Sequence, residues 1–215
     1  MTANPHLSTE TASAGDPGAA VAAVVVHGRD QDPEYMLEAV VERLGLDDDV
    51  AYVLPRAADR SWYPGRFYDP MEDNEPCLGW SLQAIEAAVE QARGARRTLA
   101  AIALVGFSQG ACIVAEHLAR RPQPYGGAAI LTGALFGTAA GRLPAGSLGG
   151  LPMFFGIAQD DDWIPVDAVR DTVEAFQRAG ARCDLRVYDD EQHGVNDDEA
   201  AAVRGLLLSL LEDPT

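Results

Sequence analysis

The sequence predicts an α/β fold: one domain built on a mostly parallel sheet of about six or seven strands, with helices on both faces. Three observations predict it. Short apolar runs without alternation recur along the chain, as strands buried on both faces require. Amphipathic stretches of helical length separate them, which suits crossover connections between parallel neighbours. The 215 residues carry no internal repeat and no shift of composition, so a single domain accounts for them.

Taken in order, residues 1–18 (MTANPHLSTETASAGDPG) are small, polar and broken by Pro and Gly. They are expected to form a flexible tail ahead of a domain over 19–215, and they lack the basic start and apolar centre of a secretory signal. Val21 to Val26 is the first strand and ends at His27-Gly28. A helical stripe of Met36, Leu37, Val40, Val41 and Leu44 follows and closes at Gly45. Ala51 to Leu54 is the second strand. Residues 55–76 are irregular and concentrate Trp62, Tyr63, Phe67 and Tyr68. Pro76 suits the first turn of a helix striped by Leu78, Leu82, Ile85, Val89 and Ala92.

Leu99 to Val105 is strand-like and runs into Gly106-Phe107-Ser108-Gln109-Gly110, after which a helix reaches Arg120. Ala128 to Thr132 is a strand, followed by a Gly-rich loop through Gly150 and a strand from Met153 to Ile157. An acidic loop leads to a helix on Val166, Val169, Val173 and Phe176. Cys183 to Tyr188 is the last strand, Gln192-His193-Gly194 a turn, and the final helix carries Val203, Leu206, Leu207, Leu210 and Leu211.

Composition narrows the partners. Thirty-three acids face sixteen bases, all arginine, for a net charge of −17. Such a field repels phosphate backbones and anionic lipid, so neither nucleic acid nor a membrane surface is an expected partner. No apolar run is long enough to span a bilayer. Cys77, Cys112 and Cys183 are odd in number and far apart. They read as reduced core residues of a cytoplasmic protein, not as a zinc or redox site.

Ser108 is the strongest chemical signal. G-x-S-x-G between a strand and a helix makes a tight turn whose glycines leave room for a strained serine backbone and lift the hydroxyl above the sheet. A serine hydroxyl needs an imidazole to take its proton. Of four histidines, His6 lies in the tail, His27 is placed for packing at a strand end, and His117 sits too far up the helix after Ser108. His193, between the last strand and the last helix, shares the carboxyl edge with Ser108 and is the expected general base. The acid that orients it is expected from Asp160-Asp161-Asp162, in the chain order Ser, Asp, His. The residues alone leave the choice among the three open. Backbone N–H donors for an oxyanion are expected from Gln109 and, after His27-Gly28, from Arg29.

Val-Val-Val-His27-Gly28-Arg29, Gly-Phe-Ser108-Gln109-Gly, Asp161-Asp-Trp-Ile-Pro165 and His193 together resemble the α/β-hydrolase superfamily, and within it the phospholipase/carboxylesterase group that includes acyl-protein thioesterases. The resemblance runs from about residue 20 to 211. It implies Asp161 as the acid, no large cap domain, and a shallow site walled by Trp62, Tyr63, Phe67, Tyr68 and Trp163. The expected activity is hydrolysis of a small-molecule ester or thioester through an acyl-enzyme, with no metal or organic cofactor. Some members of the group pair as homodimers. An acyltransferase, a lactone-forming or lactone-opening enzyme, and a non-catalytic small-ligand binder are the alternatives. Two positions depart from the group's pattern: Asp30 and Gln192 stand where glycine is usual.

Overall fold

The computed structural model describes residues 3–137 and 142–212, so part of the Gly-rich loop and both chain ends lie outside the described residues. Among the described residues seven strands form one sheet in the order β1-β3-β2-β4-β5-β6-β7. They are β1 (Ala12–Gly15), β2 (Val21–Val26), β3 (Val50–Leu54), β4 (Ile102–Phe107), β5 (Gly127–Leu131), β6 (Pro152–Ala158) and β7 (Arg182–Tyr188). All neighbours pair in parallel except β1, which runs antiparallel to β3. The predicted α/β architecture is therefore the observed one.

The continuous apolar runs are explained by burial on both faces. Along β2, Ala22, Val24 and Val26 join one core while Val21, Ala23 and Val25 join the other. Strand β4 splits the same way, with Ile102 and Leu104 on one side and Ala103, Val105 and Phe107 on the other. Successive side chains alternate across a strand, so a strand with helices on both sides has no polar face to show.

The first core is closed by α4 (Cys77–Arg93), α5 (Gln109–Arg120) and α6 (Val166–Arg178). The second lies under α7 (Asp197–Glu212) and a continuous helix over 33–44, in which α1 (Pro33–Met36) and α2 (Glu42–Leu44) are joined by a π-helical turn, Leu37–Val41. Gly45 ends that helix in the left-handed conformation at φ 59°. A short α3 (Met71–Asn74) precedes α4.

Chain order reverses at β2. The path goes from β2 to β3 on one side, then returns through α4 to place β4 on the other. Connections that leave a sheet in opposite directions open a crevice at the carboxyl ends of the two strands between them. Here those ends carry His27-Gly28-Arg29 and Ser108.

Residues 3–18 are placed against the domain where a tail was expected. Pro5–Ser8 is a 3-10 turn, β1 is an edge strand, and His6 is buried. Thr9 Oγ1 donates to the Arg56 carbonyl at 2.6 Å, and the Asp16 N–H to that of Asp47 at 2.8 Å. The strand escaped prediction because ASAG has little β propensity; it is held by pairing along β3 and by Ala12 and Ala14 against the core. Strand β4 also begins later than expected, since Leu99–Ala101 forms a 3-10 turn.

Burial lowers the imidazoles of His27 and His117 from 6.5 to about 4. The unfolded chain then takes up these protons before the native one. Their contribution to stability is complete above about pH 6.5 and is lost as the pH falls towards 4. At pH 5 each should cost about 2 kcal/mol. Urea unfolding between pH 7.5 and 5 should show a slope shallower by one histidine's share in His117→Phe than in the wild type. Easing of the acidic self-repulsion acts on both proteins equally, so identical slopes would overturn this account.

Candidate active site

Ser108 adopts φ 53° and ψ −118° at the junction of β4 and α5. Such a backbone in a non-glycine residue costs about 1–3 kcal/mol and persists only where its surroundings enforce it. Its N–H donates to the Leu131 carbonyl at 2.9 Å, and its own carbonyl accepts the Cys112 N–H at 3.1 Å. Both flanking glycines are required by space. A Cβ on Gly106 would lie 2.6 Å from the Gly110 carbonyl oxygen and 2.7 Å from the Ala111 backbone, and one on Gly110 would lie 2.5 Å from the His27 carbonyl oxygen. The first turn of α5 is thus pressed onto the end of β2.

Three residues distant in sequence meet at this edge. His193 Nε2 lies 2.8 Å from Ser108 Oγ, and His193 Nδ1 lies 2.8 Å from Asp161 Oδ2. With Nδ1–H donating to the carboxylate, Nε2 is left to accept from the serine hydroxyl. The Asp161 side chain is fully buried, and its other oxygen accepts the N–H groups of Trp163 and Ile164, both at 2.8 Å. Burial alone would raise its pKa, but the bonds from His193, Ile164 and Trp163 together hold it below the ordinary value. Asp160 and Asp162 are exposed. Of the three, Asp161 is the one within hydrogen-bond distance of His193.

Gln109 and Arg29, the expected backbone donors, both line the cleft. Gln109 is the first residue of α5, so its N–H has no acceptor within the helix. Arg29 follows Gly28, whose N–H donates to Gln31 Oε1 at 2.9 Å. Asp30 takes the left-handed conformation, φ 59°, with its N–H on the Arg60 carbonyl at 2.8 Å. Aspartate tolerates that region better than most side chains, so the backbone course open to glycine is kept. Gln192 is exposed, and its carbonyl accepts the Gly194 N–H at 3.0 Å.

A cleft of about 580 Å³ opens at Ser108 and His193, with Tyr63, Phe67 and Trp163 in its walls. Trp62 and Tyr68 do not line it. Trp62 is fully buried, its indole N–H donating to the His27 carbonyl at 2.9 Å, and it serves as the anchor of the loop. Tyr68 is exposed, edge-on to Phe67.

A model of the family described as phospholipase/carboxylesterase matches residues 49–209, well over half of the chain. The chain belongs to this family. It is a hydrolase of the carboxylesterase/phospholipase type, a class that acts on small-molecule esters. A phospholipase/carboxylesterase from Dyadobacter fermentans is 28% identical, with a TM-score of 0.82 over 93% of this chain and 96% of that one. A carboxylesterase from Mesorhizobium loti is 21% identical, with a TM-score of 0.72 over 88% and 89%. SOBER1 of Arabidopsis thaliana shares the fold at 17% identity, with a TM-score of 0.72 over 89% and 99%. No curated protein matches the chain. Among the described residues no helix is long and apolar enough to cross a membrane.

Sequence reasoning missed the side chains that fasten the site of this carboxylesterase-family chain. Gln109 turns its amide away from the cleft: Oε1 accepts the Trp62 N–H at 2.9 Å, and Nε2 donates to the Tyr63 carbonyl at 2.8 Å. The Arg29 guanidinium donates to the carbonyls of Pro64, Tyr63 and Gly65. Buried Asn74 accepts the Gly65 N–H and donates to the Arg66 carbonyl. Asn196 and Glu199 bond each other's backbone N–H at the start of α7, just after His193. That last pair was readable as a capping box, N-x-x-E. The others have no sequence signature, because their acceptors are backbone atoms of remote loops.

Asn74→Ala should leave two loop backbone groups unpaired. The expected loss is about 2 kcal/mol of stability by urea unfolding, together with faster amide exchange at 64–66. Stability within 0.5 kcal/mol of wild type, a threshold of about the size seen for neutral surface changes, would show that Asn74 does not hold this wall.

Proposed function

We propose that the chain is a serine hydrolase cleaving a carboxylic ester or thioester through an acyl-enzyme. The observation that carries this reading is the relay of two 2.8 Å contacts, Ser108 Oγ to His193 Nε2 and His193 Nδ1 to Asp161 Oδ2, beside an open cleft. Ser108 Oγ attacks the carbonyl carbon while its proton passes to His193 Nε2. Asp161 stays ionised and steadies the imidazolium, since a carboxylate held below its ordinary pKa does not compete for that proton. The N–H groups of Arg29 and Gln109 receive the developing oxyanion.

Collapse of the tetrahedral intermediate breaks the bond to the alcohol or thiol, which leaves with the proton from His193. Water then attacks the acyl-serine and gives its proton to the same imidazole. The second collapse frees the acid and restores the Ser108 hydroxyl. The wall of Tyr63, Phe67 and Trp163 supports an acyl chain or an aromatic leaving group as what fills the cleft.

Ser108→Ala should retain the fold and lose at least about 10³-fold in kcat towards short p-nitrophenyl esters. A fluorophosphonate should label the wild type at Ser108 and nowhere else. Wild-type rates in the alanine variant would remove Ser108 from the mechanism.

Asp161→Asn keeps the size of the side chain but disturbs the imidazole tautomer. It should lower kcat by about 10⁴-fold with little change in stability. A tenfold effect or less would assign the orienting role elsewhere.

A further inference from the structure

Two arginines reach the cleft, and they are used differently. The Arg29 guanidinium is engaged by three backbone carbonyls. The Arg66 guanidinium is stacked between aromatic rings, 5.2 Å from the centre of Trp163 and 5.8 Å from that of Tyr68. Among the described residues it makes neither an ion pair nor a side-chain hydrogen bond, whereas ten other arginines pair with carboxylates. Asp30 and Asp69 also line the cleft, but neither pairs with it; Asp69 accepts the Arg66 backbone N–H at 2.6 Å instead.

The loop that carries Arg66 is built to hold still. Asn74 and Asp69 take the backbone of residues 65 and 66, and a Cβ on Gly65 would lie 2.8 Å from Asp69 Oδ2 and 2.9 Å from Asn74 Oδ1. Trp163, beneath the guanidinium, has its ring centre 6.3 Å from that of His193. A cation with five N–H donors and no acceptor of its own is therefore fixed one aromatic ring away from the imidazole. In a chain of net charge −17, such a group at the mouth of the cleft marks a place for negative charge on the ligand.

We propose that Arg66 is a specificity residue that receives an anionic group, a carboxylate or a phosphate, carried by the substrate a few bonds from the scissile ester. This rests on the serine-hydrolase reading for its catalytic meaning, but not for the binding of the anion itself. Planar guanidinium suits both oxyacids, since two of its N–H groups can meet two oxygens at once. Trp163 and Tyr68 hold the guanidinium plane in place, so little rotamer freedom is lost when the anion arrives.

The test uses mono-p-nitrophenyl glutarate and its methyl ester, in which the terminal carboxylate is free and charged or capped by a methyl group. The ratio of their kcat/KM values should fall about tenfold in Arg66→Met, whose apolar stem still covers the rings. In parallel, Ser108→Ala protein is titrated with glutarate and with inorganic phosphate, followed by tryptophan emission, with and without Arg66→Met. An Arg66-dependent response to glutarate assigns a carboxylate; a response to phosphate alone, with the ester ratio unchanged, assigns a phosphate. A ratio unchanged within twofold and no Arg66-dependent binding of either anion would overturn the proposal. Should the wild type cleave neither ester while the anion still binds through Arg66, the hydrolase reading fails and the anion site stands.

Discussion

Close approach between the first turn of α5 and the end of β2 is the constraint on which the rest of the structure depends. Gly106 and Gly110 carry no Cβ because carbonyl oxygens and backbone of neighbouring segments occupy the space one would need. That contact holds Ser108 in a positive-φ conformation and brings the 27–29 turn to the same edge. It exists because the path through the sheet reverses at β2, leaving the carboxyl ends of β2 and β4 side by side with no helix over them. The strain at Ser108 is small against the two parallel ladders that flank β4, so the sheet can hold it.

Around that edge, polar side chains work mainly on backbone groups. Gln109, Arg29 and Asn74 fasten the 62–66 segment, while Trp62 is closed in by two histidines, its ring centre 5.3 Å from that of His6 and 5.0 Å from that of His27. His6 Nδ1 accepts the Ala58 N–H at 3.0 Å, which leaves Nε2–H to face the Trp62 carbonyl at 3.3 Å. His27 Nε2 likewise accepts the Ala57 N–H at 3.0 Å. The N-terminal segment is thereby tied to the wall of the cleft. The buried side chains of His6, His27, Asn74 and Gln109 thus each bond backbone groups of residues 57–66, which fastens the wall without a strand of its own.

Charge is placed with the same economy. Glu116 is fully buried on α5, and its two oxygens meet Arg120 and Arg142, so the carboxylate is paired where it is dry. Glu199, buried against Gly156, is instead pushed up to about 7 by loss of solvent, although its bond to the Asn196 N–H favours the ionised form. Asp161 is the contrasting case: three donors outweigh burial and keep it low. Glu199 and Asp161 thus differ in ionisation through the donors that surround them.

The amino-acid sequence by itself determined the six parallel strands, the longer helices and the turn at Ser108, because those depend on period, chain length and the size of glycine. Strand β1 was not legible: four small residues pair only because the edge of β3 is open to them. Side-chain chemistry alone does not distinguish Asp161 from Asp160 and Asp162, and only the family resemblance pointed to it; folding buries that carboxylate beside His193 and leaves its neighbours exposed. Trp62 and Trp163 are equally aromatic in sequence, yet one is fully buried and the other 54% exposed. Which side chains clamp the cleft wall, and which of the two cleft arginines makes no side-chain hydrogen bond among the described residues, was likewise decided by tertiary structure, because a hydrogen bond to a distant backbone carbonyl leaves no periodic trace along the chain.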